Sequence, residues 1–88
     1  MEFSAIKELD ARNYMTVFNR QNLCFTRGEG CKLYDTTGKE YTDFVAGIAD
    51  NVLGHRQPAL TAAIKAQADT FLHVSNLYYI KEQAEVCE

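Results

Sequence analysis

The spacing of apolar residues changes several times along this chain, and each change marks an expected element. Ala5, Ile6 and Leu9 recur at helical spacing behind Ser4. This predicts a short helix over 5–13 with Ser4 as N-cap and Glu8 one place past the capping-box position. Residues 14–22 follow no period and read as an extended connector, with Tyr14 and Phe18 anchoring it by hydrophobic docking. From Leu23 the pattern turns β-prone. Residues 23–27 and 31–35 form two short runs separated by Gly28-Glu29-Gly30, a turn in which glycine can take positive φ. Asp35-Thr36-Thr37-Gly38 places Asp first and Gly last, as a type I turn prefers. Residues 40–44 then alternate polar and apolar, with Tyr41 and Phe44 as core candidates. An antiparallel meander of two to three strands results.

A second helical period starts at Pro58, a residue suited to the first position of a helix. Leu60, Ala63, Ile64, Ala68 and Phe71 recur every three or four residues. They predict an amphipathic helix over 58–72 with one buried face, and Lys65 and Asp69 make a solvated pair on its outer side. Residues 80–88 read as the opening turns of another helix. No glycine, proline or basic turn ends it, so the pattern is expected to be cut short at Glu88. The expected fold class is α+β: a short antiparallel strand meander plus an amphipathic helix.

Between meander and helix lies 43–58, DFVAGIADNVLGHRQP, which fits neither period. Long loops of this kind, anchored between regular elements, are more often functional surface than packing. Residues 73–79 form a second irregular stretch.

Composition narrows the classes. The chain has 88 residues, 47% hydrophobic and 24% charged, with net charge -3. That is ordinary for a soluble domain, and its size allows one thin core. No basic excess exists to neutralise phosphates, so no nucleic-acid partner is expected. No apolar run reaches the ~20 residues of a membrane span, and the mixed, acidic start shows no signal peptide. Three cysteines, Cys24, Cys31 and Cys87, form no CxxC, and the odd, scattered set predicts reduced thiols acting as small buried hydrophobes. No metal site is expected, because neither His55 nor His73 has a ligand at close spacing.

His55 follows Gly54 and is expected at an exposed loop end, a lone histidine without a sequence-adjacent carboxylate or nucleophile. Asp50 and Asn51 are explained by turn chemistry. The Gly28-Glu29-Gly30 turn lacks the following helix and lysine of a phosphate cradle, and Tyr78 and Tyr79 read as packing.

The order of motifs carries more. RGEG at 27–30, LYDTTGKEYTDF at 33–44, AGIADNVLGH at 46–55 and HVSNLYY at 73–79 resemble the N-terminal segment of the acetylornithine aminotransferases. These are class III enzymes of the ornithine-aminotransferase-like group and use pyridoxal 5'-phosphate (PLP). The resemblance runs from about Tyr14 to Glu88. It implies that residues 23–88 are the N-terminal part of the small domain of a fold type I PLP-dependent transferase, cut short, with residues 1–22 a helix and connector before it. It implies amino transfer between N-acetylornithine and 2-oxoglutarate through a lysine Schiff base of PLP, in a cytoplasmic homodimer serving arginine biosynthesis.

The same resemblance implies site residues. Ile48 matches a position shaping the substrate entrance, a tyrosine in ornithine-specific relatives. Phe18 matches a tyrosine that binds substrate carboxylate there; lacking the hydroxyl, it supplies shape alone. Ser75 and Asn76 match the serine-asparagine pair of acetylornithine enzymes. Gln57 departs from a family histidine before the proline. The catalytic lysine, the acidic partner of the pyridine nitrogen, the phosphate loop and the substrate arginine all lie beyond residue 88 in the family, and none of Lys7, Lys32, Lys39, Lys65 or Lys81 matches. The residues present are therefore expected to include no catalytic or cofactor-binding group, to bind no PLP covalently and to be inactive alone. Alternatives are an ornithine, succinylornithine or 4-aminobutyrate aminotransferase, or a free-standing, non-catalytic binding domain.

Overall fold

A computed structural model describes all residues, Met1–Glu88. They fall into two units, residues 1–58 and 59–88.

The first unit opens with helix α1, Phe3–Asn13. It starts two residues earlier than its spacing predicts, and Glu2 precedes it without a side-chain cap. Ser4 therefore lies inside the first turn and is not the N-cap. Residues 14–24 form no helix or strand, and polar contacts tie them to α1. Lys7 Nζ donates to Asn22 Oδ1 at 2.8 Å, and Arg20 pairs with Asp10. The Arg20 guanidinium also covers the Tyr14 ring at 4.6 Å. Tyr14 thus anchors by a cation–π contact, while Phe18 remains 70% exposed and is not docked in a core.

Strands β1 (Phe25–Glu29), β2 (Lys32–Asp35) and β3 (Glu40–Thr42) form an antiparallel sheet in that order. Gly28 pairs with Leu33 and Glu29 with Lys32. The first turn is accordingly tighter than expected, only Gly30-Cys31, with Gly30 at φ 57°. Phe25 pairs with Asp35 but Arg27 with Tyr34, so Thr26 is the extra residue of a β-bulge. Its hydroxyl donates to the Asp35 carbonyl at 3.3 Å.

Because side chains alternate along a strand, the bulge returns Phe25 to the face shared by Gly28, Leu33 and Tyr41. Phe25 and Tyr41 meet edge to face, ring centroids 5.5 Å apart. The other face is polar: Arg27 lies over Tyr34 at 3.7 Å, the Tyr34 hydroxyl donates to Glu40 at 3.1 Å, and Lys32 Nζ donates to Thr42 at 2.9 Å.

The second turn follows expectation. Gly38 N–H donates to the Asp35 carbonyl at 3.0 Å, and Gly38 takes φ 88°. β3 stops at Thr42, earlier than its alternation predicts, and Phe44 is 92% exposed, contrary to its expected place in a core. The reason lies at Asp43, whose side chain leaves the ladder to engage the next backbone amides.

In the second unit, α3 runs Pro58–Ala68 and α4 runs Lys81–Val86. Pro58 starts α3 as expected, but the helix ends four residues short of Leu72. The Thr70 hydroxyl donates to the Ala66 carbonyl and the Gln67 amide to the Phe71 carbonyl, interactions that compete with helix continuation. Asp69 lies past the end and makes no ion pair with Lys65, whose carbonyl accepts only its backbone N–H. Along α3 the apolar stripe is present but uncovered; its expected buried face is exposed at Leu60 and Ile64.

In neither unit is a hydrophobic side chain buried. The cysteines correct their expectation too: Cys24 is half-buried, Cys31 and Cys87 are exposed, and all are free. Cys31 occupies a hairpin tip, where no packing surface reaches it. No helix is long and apolar enough to cross a membrane.

Candidate functional site

The stretch after β3 contains a short left-handed turn, α2 (Ala46–Ala49). Ala46, Gly47, Ile48 and Ala49 all take positive φ, between 52° and 65°. Three of the four carry a Cβ, which crowds the carbonyl oxygen in this conformation at about 1–2 kcal/mol per residue. Such strain persists only when surrounding contacts over-determine it, and it concentrates at functional sites.

Those contacts begin at Asp43. Its Oδ1 accepts hydrogen bonds from the backbone N–H groups of Val45 (3.1 Å) and Ala46 (2.9 Å). Its Oδ2 lies 2.7 Å from His55 Nε2. On the other side of the ring, His55 Nδ1 lies 2.9 Å from Asn51 Nδ2. Asn51 in turn donates its backbone N–H to the Ala46 carbonyl at 2.8 Å. The four segments close a loop of hydrogen bonds around the left-handed turn. A carboxylate accepts only, so His55 Nε2 carries a proton.

This arrangement overturns two expectations. His55 has no sequence-adjacent carboxylate, but the fold brings it one from twelve residues away. It is not an exposed loop end, its side chain being 21% exposed and that of Asp43 10%. Asn51 bonds the imidazole rather than its own backbone with its side chain. Sequence reasoning missed Asp43 because the pair forms only when the chain doubles back; the available signal was Asp43 at the end of the alternating run, where a strand residue would be expected.

The hairpin holds His55 from below. Gly30 and His55 exchange backbone hydrogen bonds of 3.0 and 2.8 Å. The imidazole rests against Gly28, where an added Cβ would come within 2.8 Å of His55 Cβ and 2.9 Å of Cγ. Gly28 is therefore the seat of the ring. Hydrogen bonds from Ala46 N–H and from His55 hold the Asp43 carboxyl below the usual carboxylate range, more than its desolvation raises it.

A concavity of about 680 Å³ opens beside this network, lined by Phe25, Leu33, Tyr41, Phe44, Asn51 and His55 among others. A second, of about 430 Å³, lies along α1 and includes Phe3, Ile6, Phe18 and Leu23. Phe18 thus lines the α1 groove. Ile48, 85% exposed, lines neither concavity and stands on the outside of the left-handed turn. Ser75 and Asn76 belong to the second unit. Ser75 takes φ 75°, and its hydroxyl accepts from Leu77 N–H at 3.3 Å. Asn76 is exposed and lines a shallow concavity with Tyr78 and Ile80.

The family model for class-III aminotransferases matches residues 14–88. The chain belongs to the class-III aminotransferase family. Over 74 residues it is 54% identical to acetylornithine aminotransferase 2 of Caulobacter vibrioides, covering 84% of this chain and 18% of that protein. Over 83 residues it is 48% identical to the acetylornithine aminotransferase of Gloeobacter violaceus, covering 94% and 21%. The crystal structure of the Elizabethkingia anophelis acetylornithine aminotransferase superposes with a TM-score of 0.92 at 25% identity, covering 97% of this chain and 22% of that one. The chain spans about a fifth of the length of these relatives.

Membership of class III implies PLP in the parent enzyme. The structure shows partners for four of the five lysines of this segment. Lys7 lines the α1 groove but donates to Asn22, Lys32 bonds Thr42, Lys39 lies over Tyr41, and Lys81 pairs with Glu85. No lysine lines the concavity beside His55.

Proposed function

We propose that this chain is the N-terminal part of a PLP-dependent acetylornithine aminotransferase, which moves an amino group between N-acetylornithine and 2-oxoglutarate. In this reading residues 1–22 lead into the small domain, to which residues 23–88 contribute its first part. The covalent chemistry belongs to residues outside this chain. The enzyme works as a homodimer in the cytoplasm, in arginine biosynthesis, and the uncovered apolar residues of α3 pack against the rest of it.

Within that enzyme this segment shapes the amino-donor side. Ile48 forms the substrate entrance, Phe18 supplies shape without a hydrogen bond, and Ser75 and Asn76 favour the acetylated donor. One observation carries the reading: in a chain half identical to acetylornithine aminotransferases, a strained turn holds Ile48 outward, 85% exposed.

The test replaces Ile48 with tyrosine in the complete enzyme and compares kcat/KM for N-acetylornithine and for free ornithine. The expected result is a shift of the ratio toward ornithine by about tenfold, the scale of a pocket-shape change. An unchanged ratio refutes the assignment of Ile48 to the substrate entrance.

A further inference from the structure

The left-handed turn is short and strained, and its support is only partly local. The segments on either side supply backbone hydrogen bonds, but the side-chain bracing converges on one ring. Asp43 touches the entry of the turn with Oδ1 and the imidazole with Oδ2. Asn51 touches the same residue from the other side, bonding the Ala46 carbonyl through its backbone N–H and the same imidazole through its amide. The His55 backbone is held by two hydrogen bonds to Gly30, and its ring starts in the space that a Cβ on Gly28 would fill. The hairpin thereby sets where His55 stands, and through Asp43 and Asn51 the ring sets where Ala46, the first residue of the turn, stands. Ile48 lies at the centre of that turn, with no contact of its own in either concavity of the unit. The backbone of the turn sets the direction in which its Cα–Cβ bond leaves the chain.

We propose that His55 is a positioning residue for donor selection: clamped between Asp43 and Asn51 and seated on Gly28, its ring fixes the left-handed turn that presents Ile48 to the amino donor. This rests on the reading of Ile48 given above. The imidazole moves no proton in this role; it acts through the turn. The lowered proton affinity of Asp43 agrees with a carboxylate committed to both partners.

The experiment is a double-mutant cycle in the complete, PLP-loaded enzyme, using Ile48→Tyr, His55→Ala and the pair. The readout is the ratio of kcat/KM for N-acetylornithine to that for ornithine. This ratio cancels any loss of folded enzyme, so a merely structural role for His55 leaves it unmoved. The tyrosine is expected to shift the ratio about tenfold when His55 is present and less than about threefold when it is absent, because coupled sites are non-additive. His55→Gln, which keeps an N–H near the Nε2 position, restores most of the shift. Should His55→Ala not fold, Gly28→Ala takes its place, unseating the ring without deleting it, with the same attenuation expected. An undiminished shift without the ring overturns the inference and leaves the Ile48 reading standing. No shift in either background overturns the Ile48 reading and the inference with it.

Discussion

Two aspartates in the first unit do the same job at two turns, in different ways. Asp35 Oδ1 accepts from Thr37 N–H, the Thr37 hydroxyl and Lys39 N–H at 2.7–3.0 Å. Its Oδ2 accepts from the Tyr41 hydroxyl at 3.2 Å. All these partners lie within six residues, and the positive φ falls on a glycine, Gly38. Asp43 also caps its own turn, but its second oxygen reaches His55, twelve residues on. There the positive φ falls on Ala46, Ile48 and Ala49 as well as Gly47. One turn is relaxed and self-contained. The other is strained and propped partly from a distance, and it carries the exposed Ile48. Strain kept against the cheaper alternative is what separates a connecting turn from a working one.

The sharpest way to break the comparison is to remove each carboxylate. Asp43→Ala is expected to lower kcat/KM of the complete enzyme for N-acetylornithine by about a hundredfold, the cost of misplacing by about 1 Å the turn proposed to face the substrate. Asp35→Ala should change it by less than about threefold, since that turn faces no proposed substrate contact; steady-state kinetics on both variants decides. Next in size, Gly28→Ala is expected to destabilise by about 1–3 kcal/mol through overpacking against His55, read from the denaturation midpoint.

A glycine exchange then separates strained from relaxed backbone. Ala49→Gly should stabilise by about 0.5–1 kcal/mol, the relief of a left-handed Cβ less the added chain entropy. Gly38→Ala should destabilise by about 1 kcal/mol for the opposite reason. A loss of stability in Ala49→Gly as well would mean that residue 49 carries no left-handed strain.

The smallest effect is in acid. Hydrogen bonds from the Thr37 hydroxyl, opposed in part by desolvation, and from the Lys39 and Thr37 amides bring the Asp35 carboxyl from 3.8 to about 2. A folded-state value below the unfolded one means this stabilisation is complete above about pH 3.8 and fades as pH falls through 2. Asp43 is shifted the same way. Carboxyl-carbon NMR titration should place the Asp35 midpoint near 2; a midpoint near 3.8 would mean the turn is open in solution.

What the sequence revealed follows the same division. The Asp35–Gly38 turn and the Pro58 start of α3 were legible because each depends on residues close in sequence. The tight Gly30-Cys31 turn was not, because Gly28 joins the strand beneath an imidazole supplied from residue 55. Phe44 fits the alternation of a strand, yet the strand ends once Asp43 turns to cap the backbone ahead of it. The left-handed turn has no periodic signature, since only one of its four residues is glycine. The motif resemblance singled out Ile48; the hydrogen bonds around its turn required the fold.

The most direct test of the account is a crystal structure of the complete enzyme with an N-acetylornithine analogue bound. The account predicts positive φ at Ala46, Ile48 and Ala49, His55 between Asp43 and Asn51, and the Ile48 side chain against the ligand. A right-handed turn at 46–49, or a ligand lodged away from Ile48, would contradict it.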